Sequence, residues 1–150
     1  PRGTPEGRTK SVLEQLGTTN QGILLLHHAI LAYLEWPFWT ELVGIRDRTF
    51  DYDHGLQIHV DVANSDHPIT QALEPWEMID ETYTMDDPED GSEILLTVDH
   101  PKSMNAIAWT RPFKTSRVFC FQSGHDNETY VDPNFRAVIS RGIQWCAGRT

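Results

Sequence analysis

Apolar positions are grouped differently in the two parts of this chain. Residues 22–28, Gly22-Ile23-Leu24-Leu25-Leu26-His27-His28, form a short continuous apolar run behind a glycine. Such a run suits a strand covered on both faces, as in the middle of a parallel sheet. Upstream, residues 11–16 place Val12, Leu13 and Leu16 on one face of a helix end, with Gly17 as its stop. Downstream, residues 29–44 read as helical, and Pro37 marks the first turn of a new segment carrying Phe38, Trp39, Leu42 and Val43 at helical spacing. The pattern then changes. Residues 56–62 alternate apolar and polar, the signature of a half-buried strand. Residues 78–85 and 92–98 are further strand candidates, separated by the acidic turn Asp86-Asp87-Pro88-Glu89-Asp90-Gly91. Residues 105–110 and 117–122 make another pair, joined across Pro112 and Lys114. Asp132-Pro133 opens a last helix, with Asp as N-cap and Pro at the first helical position. Its apolar stripe is Phe135, Val138, Ile139, Gly142, Ile143 and Cys146, and Gly148 closes it. These elements predict a mixed α/β fold with an antiparallel β insert.

Composition narrows the function classes. The 150 residues include 22 acidic and 12 basic side chains, a net charge of −10. That balance argues against a nucleic-acid partner, because neutralising phosphates needs a surplus of Lys and Arg on one face. An apolar content of 39% and a charged content of 23% describe a globular chain, and the length suits one domain. Two cysteines make no disulfide framework. The longest apolar stretch is interrupted by His27 and His28 and falls far short of the roughly 20 residues that span a bilayer. No basic-then-apolar leader opens the chain, so a secretory signal is not visible, although a processed one leaves no trace; a soluble, cytoplasmic protein is the expectation. Residues 1–10, rich in Pro, Gly and basic side chains, read as a flexible leader to a domain over residues 11–150.

Candidate chemistry lies mainly at strand ends. His27 and His28 close the apolar strand just before a helix, the edge of an α/β sheet where ligands bind. One packed and one exposed histidine is the structural alternative. Gly124-His125-Asp126 follows a second apolar strand. An imidazole next to a carboxylate suits general acid–base work, whereas a polar turn capped by Asp126 is the plainer account. The strand-end histidines with His125 and Asp126 could hold a divalent metal such as Zn, although no HExxH, HxH or CxxC spacing supports it. Glu81 and Tyr83, two residues apart on a strand, share a face and fit recognition of sugar hydroxyls as well as a solvated surface. His59 and Asp61 share a face in the same way, while His54 and His100 sit in turn-like segments and read as structural. Cys120 and Cys146 fall within a strand and on a buried helix stripe, and Ser123 has no GxSxG around it, so nucleophilic catalysis is not expected. Trp36 and Trp39 flank Pro37 and Phe38 near the candidate cleft, where aromatic faces stack on sugar rings or simply pack. Trp145 reads as core, and Asn127-Glu128-Thr129 is a glycosylation sequon relevant only in a secreted chain.

The order of these motifs is more specific than any one of them. A glycine-led strand ending in His-His is followed by Trp36-Pro37-Phe38-Trp39, Asp66-His67-Pro68-Ile69-Thr70 and Asp80-Glu81-Thr82-Tyr83. Then come Ala108-Trp109-Thr110-Arg111-Pro112, Arg117-Val118-Phe119, Gly124-His125-Asp126 and Gly142-Ile143-Gln144-Trp145-Cys146-Ala147-Gly148. Over roughly residues 11–148 the series resembles the ThuA-like family, named for trehalose utilisation. The resemblance implies a fold similar to class I glutamine amidotransferases, with a flavodoxin-like central sheet. It also implies a carbohydrate-related role with disaccharides or their keto derivatives. In the amidotransferases the corresponding strand end presents a nucleophilic Cys; His27-His28 stands there in this chain, which excludes thioester chemistry. The implied site has His28, His125 and Asp126 as catalytic groups, with His27, Trp36, His67, Glu81 and Tyr83 on the substrate. Proton transfer, metal-assisted chemistry and sugar binding alone all fit such a cleft. The resemblance further implies that a βαβ portion precedes the glycine-led strand. The chain is then the larger C-terminal part of a domain, completed by a homo-oligomer partner or a companion chain.

Overall fold

A computed structural model describes residues 1–149; Thr150, the last residue of the expected domain, lies outside them. One six-stranded sheet organises the chain: β1 (Ile23–Leu26), β2 (Asp51–Val62), β3 (Trp76–Thr84), β4 (Glu93–Val98), β5 (Ala106–Phe113) and β6 (Ser116–Phe121). The spatial order is β1-β6-β5-β4-β2-β3. Only β1 and β6 run parallel; the other neighbours are antiparallel, so the expected insert makes up most of the sheet. The helices are α1 (Gly7–Leu13), α2 (Pro37–Val43), α3 (Asn127–Val131) and α4 (Pro133–Cys146). Among the described residues no helix is long and apolar enough to cross a membrane.

The apolar run of β1 is covered on both faces. Ile23 and Leu25 pack with Trp39, Leu42, Val118 and Cys120 on the α2 side, whereas Leu24 and Leu26 pack with Phe119, Phe121, Phe135 and Val138 on the α4 side. α4 begins as expected: the Asp132 carboxylate accepts from the Phe135 amide at 2.7 Å, and Pro133 occupies the first turn. A cap of this kind contributes about 1 kcal/mol. Its buried stripe is Phe135, Val138, Gly142 and Cys146, while Ile143, assigned to that stripe from sequence, is 54% exposed. Gly142 lets the helix lie against β6, since a Cβ there would overlap the Phe119 ring.

Two segments depart from expectation. Residues 29–36 are not helical; a short 3-10 turn over His27–Ala29 gives way to turns before α2. Tyr33 has φ +49°, a left-handed conformation that breaks a helix. Arg48 takes the carbonyls that a helix would use. Its guanidinium donates to Ile30 O at 2.8 Å, Ala32 O at 2.7 Å, Tyr33 O at 3.0 Å and Thr40 Oγ1 at 3.1 Å. The side chain is buried among these oxygens, and burial pulls its pKa down to about 10. The leader is also engaged: α1 starts within it, Pro5 is buried, and the carbonyls of Pro1 and Arg2 accept from the amides of Tyr33 and Glu35.

The sheet curls. Register shifts interrupt β2–β3 between Asp53 and Leu56, and β4–β5 between Ile94 and Leu96 and between Leu96 and Thr97. Bulges of this kind bend a strand and raise its twist. As a result β3, at one end of the strand order, meets the segment that follows β6 near the other end. Gln122 Nε2 donates to Glu81 O at 2.7 Å, and Thr129 Oγ1 lies 3.1 Å from Ile79 O.

His67, expected on substrate, belongs to this scaffold instead. It is 8% exposed, its ring lies 5.3 Å from that of Trp145, and its Nδ1 accepts from the Ile69 amide at 3.2 Å. A turn whose acceptor is an imidazole nitrogen cannot tolerate a proton there.

Two outcomes are expected. Arg48→Met leaves the Ile30 and Ala32 carbonyls without a donor, while Tyr33 O keeps the Trp36 amide, at about 1–3 kcal/mol for each one water does not reach; chemical denaturation should show a stability loss on the order of 3 kcal/mol. His67, whose pKa burial lowers against the opposing charge of Glu93, protonates more readily unfolded than folded. The unfolded chain therefore binds more protons below about pH 6.5, and stability falls as pH drops through that value. In thermal melts from pH 7.5 to 5, His67→Asn, whose amide oxygen can accept from Ile69, should lose less stability than the parent. Equal slopes would refute the assignment.

Candidate functional site

The C-terminal end of β1 is an elbow. His27 follows Leu26 with φ +49°, a strained value for any residue but glycine, and opens the 3-10 turn. The strain is held by its surroundings. His27 Nδ1 lies 2.7 Å from Gln122 O, so it carries the proton, and Nε2 turns its lone pair inward. Tyr83 Oη stands 2.9 Å from that Nε2, with the two rings stacked at 5.1 Å. Tyr83 Oη is also 3.1 Å from Nδ1, but that nitrogen is already committed to the carbonyl, so the phenol donates to Nε2. Burial lowers the pKa of His27 more than the Gln122 hydrogen bond and the charges of Asp80 and Glu81 raise it, which keeps the ring neutral. Burial, reinforced by the charge and hydrogen bonding of Glu81, pushes the Tyr83 phenol above its ordinary value, so it remains a donor.

β3 puts Glu81 beside Tyr83 on one face, as their spacing predicted. The Glu81 side chain is 3% exposed and is ringed by imidazoles. Its Oε1 lies 3.3 Å from His27 Nε2 and 3.9 Å from His28 Nε2. Its Oε2 lies 2.6 Å from His54 Nδ1 and 3.3 Å from His125 Nδ1. His125 Nδ1 is also 3.3 Å from His27 Nε2. Around this cluster is a cleft of about 300 Å³ lined by His28, Phe50, Tyr52, His54, Glu81, Tyr83 and His125. A larger depression, about 700 Å³, lies at the other end of β1, but among the described residues its only charged lining residue is Arg117. The chemistry is at the smaller one.

The structure thus brings together His27, His28, Glu81, Tyr83 and His125 and leaves three expected residues elsewhere. Asp126 does not orient His125; it is the N-cap of α3 and accepts from the Glu128 amide at 2.8 Å. Trp36 is buried in the α2-side core, stacked on Phe38 and Trp39 and packed edge-on to Tyr33. His67 is in the scaffold beside Trp145.

Two functional groups were not legible in the sequence pattern. His54 reaches Glu81 because it precedes Gly55, whose φ of +63° belongs to the bulge in β2. A histidine-glycine pair at the start of an alternating strand was the available signal. Asp80 is the second. Its carboxylate accepts from the amides of Glu81 at 2.8 Å, Gly124 at 3.0 Å and His125 at 3.1 Å, and from Thr129 Oγ1 at 2.7 Å. It therefore fixes the His125 backbone to β3. Replacing it by Asn removes charge-assisted bonds of about 1.5–3 kcal/mol each, partly offset by amide contacts. Asp80→Asn should cost more stability in urea than Thr129→Val, which deletes one donor, and should shift the His125 imidazole resonances that Thr129→Val leaves in place.

Comparison with known proteins identifies the family and the fold. The family model described as "Trehalose utilisation", ThuA, matches residues 6–146. A solved ThuA-like protein from Parabacteroides merdae superposes with a TM-score of 0.80 at 18% identity, covering 98% of this chain and 68% of its own. One from Bacteroides uniformis gives 0.75 at 19%, covering 97% and 66%. A GMP synthase protein from Thermoplasma acidophilum gives 0.55 at 12%, covering 92% and 63%. The chain thus spans about two-thirds of the length of these proteins, and the expected amidotransferase-like fold holds. None of the curated proteins matches it. An α/β sheet with a histidine elbow, matched by the family model over nearly its whole length, places this chain in the ThuA family.

Proposed function

We propose that the His–Glu cleft is the working site of a carbohydrate-processing domain that moves protons on a disaccharide or keto-glycoside without forming a covalent enzyme intermediate. The observation that carries this reading is the convergence of four imidazoles, a protonated phenol and one buried carboxylate on a cleft with aromatic walls. His125, part-exposed and paired with Glu81, is the proton-transfer group. Glu81, with its Oε2 3.3 Å from Nδ1, orients the His125 ring. Tyr83 holds the His27 ring from behind, and Tyr52 and Phe50 offer faces to a sugar ring. Among the described residues no cysteine or serine lines the cleft, and burial raises the thiol pKa of Cys120 and of Cys146, the latter to about 11. Glutaminase chemistry is therefore not part of the proposal. The trehalose link of the family supports the substrate class.

Turnover of a panel of disaccharides and their keto derivatives tests it. His125→Ala should lower kcat by about 10²–10⁴-fold, the usual share of a positioned acid–base group, while His100→Ala, in a remote turn, should leave it unchanged. Saturable sugar binding with no product from the parent protein would replace the enzyme by a sugar-binding module, and unchanged turnover in His125→Ala would remove His125 from the chemistry.

A further inference from the structure

The contacts of Glu81 pose a problem in charge and lone pairs. Among the described residues no Lys or Arg lies within 4.0 Å of its carboxylate; all its ion-pair partners are His27, His28, His54 and His125. A carboxylate buried this deeply needs a compensating cation. His27 cannot easily be that cation, because its Nδ1 proton is committed to Gln122 O and its Nε2 presents a lone pair to Oε1 at 3.3 Å. Two acceptors face each other across that gap. The Tyr83 hydroxyl has one proton and cannot satisfy both.

A metal ion resolves the conflict. One ligand atom from each of His27, His28, Glu81 and His125 can be chosen so that all four lie within 4.8 Å of one another. With Glu81 Oε1 as the carboxylate ligand, His27 Nε2 lies 3.3 Å from it and 3.3 Å from His125 Nδ1, and His28 Nε2 lies 3.9 Å from the same oxygen. Ligands bonded at 2.0–2.1 Å to a tetrahedral ion stand about 3.3–3.4 Å apart, as the geometry of Zn–N and Zn–O bonds requires. The supporting contacts are those of metal sites: Gln122 O fixes the tautomer of His27, and His54 Nδ1 holds the second carboxylate oxygen. Burial is graded, with His27 and Glu81 at the floor and His28 and His125 toward solvent, so the open side faces the cleft.

We propose that His27, His28, Glu81 and His125 bind one first-row divalent transition metal ion of the Zn(II) or Fe(II) class. Three imidazoles and one carboxylate favour such an ion over Mg(II) or Ca(II), which prefer oxygen ligands. The proposal rests on the cleft being the working site and is independent of its substrate.

The test is metal binding to the full chain, without a sugar. Chelator-treated protein is titrated with Zn(II), with Co(II) as a spectroscopic stand-in, and with Mg(II). One Zn(II) per chain and a visible Co(II) band of four- or five-coordinate intensity are expected, with Mg(II) bound far more weakly. His28→Ala, an exposed change that leaves the fold intact, should weaken Zn(II) more than about tenfold, and His54→Ala by about 10–100-fold as a supporting contact. His59→Ala is the control, because His59 with Glu77 and Asp61 is a surface group that could capture an ion by itself. Binding that disappears in His59→Ala, that ignores His28→Ala, that is absent, or that Mg(II) matches would each overturn the proposal. Metal binding is read without a sugar and turnover is read on the disaccharide panel, so failure of the metal site and failure of the sugar reading are distinguished by separate measurements.

Discussion

Burial of the Glu81 carboxylate is the constraint around which the rest of this domain is arranged. A charge taken out of water at the end of a sheet must find compensation from several directions, because no single neighbour can supply it. Here the directions are different parts of the chain: the elbow after β1 brings His27 and His28, the bulge in β2 brings His54, and the segment after β6 brings His125. Each is a place where regular structure stops. The sheet provides rigidity up to these points, and the irregular residue that follows aims the side chain. Asp80, on the opposite face of β3, closes the arrangement from behind by gripping the backbone of Gly124 and His125.

Such a cluster could not form on a flat sheet with this strand order. β3 and β1 are its two outer strands, separated by the other four. The register shifts in β2–β3 and β4–β5 supply the curl that returns β3 to the β1–β6 end. This explains why the fold was only partly legible from residue pattern. Periodicity identifies where strands lie, and every strand expected from it is present within a few residues. Curvature comes from bulges, which interrupt the period by one residue and leave no apolar signature. The helix expected over residues 29–36 failed for a related reason: its apolar spacing is genuine, but Arg48, more than a dozen residues away in sequence, claims its carbonyls.

Site residues divide in the same manner. Glu81 and Tyr83 were legible because a two-residue spacing on a strand fixes the face, and His27-His28 and His125 because strand ends in α/β sheets are where ligands bind. Asp126 misled because sequence adjacency to His125 was read as spatial service to it. On a loop entering a helix, an Asp is drawn to the free amides of the first turn, and the exposed carboxylate cap is the outcome. Its role beside His125 fell to Glu81, 44 positions earlier in the chain. Trp36 misled differently. A tryptophan near a cleft in sequence is also next to the largest apolar surface available, and burial in the aromatic cluster with Trp39 and Tyr33 won.

The elbow itself links fold and chemistry. A residue with positive φ at the end of a parallel strand is projected over the sheet edge whatever its type, and holding it there consumes stability that packing elsewhere must supply. With a cysteine or serine at such a point, the exposed atom is a nucleophile. With His27 it is a lone pair fixed by the proton on the other ring nitrogen, a group that can accept a proton or a metal and offers no thiol or hydroxyl. His28, the next residue, leaves the elbow toward solvent and adds a second nitrogen to the same centre. The backbone device is therefore shared with sheets that do covalent chemistry, and the class of reaction open to it is set by the side chain that the strain presents. Strain of this kind persists only where the side chain it positions is held by more than one contact. His27 has such contacts to Gln122, Tyr83, Glu81 and His125, which come from β3 and from the segment after β6.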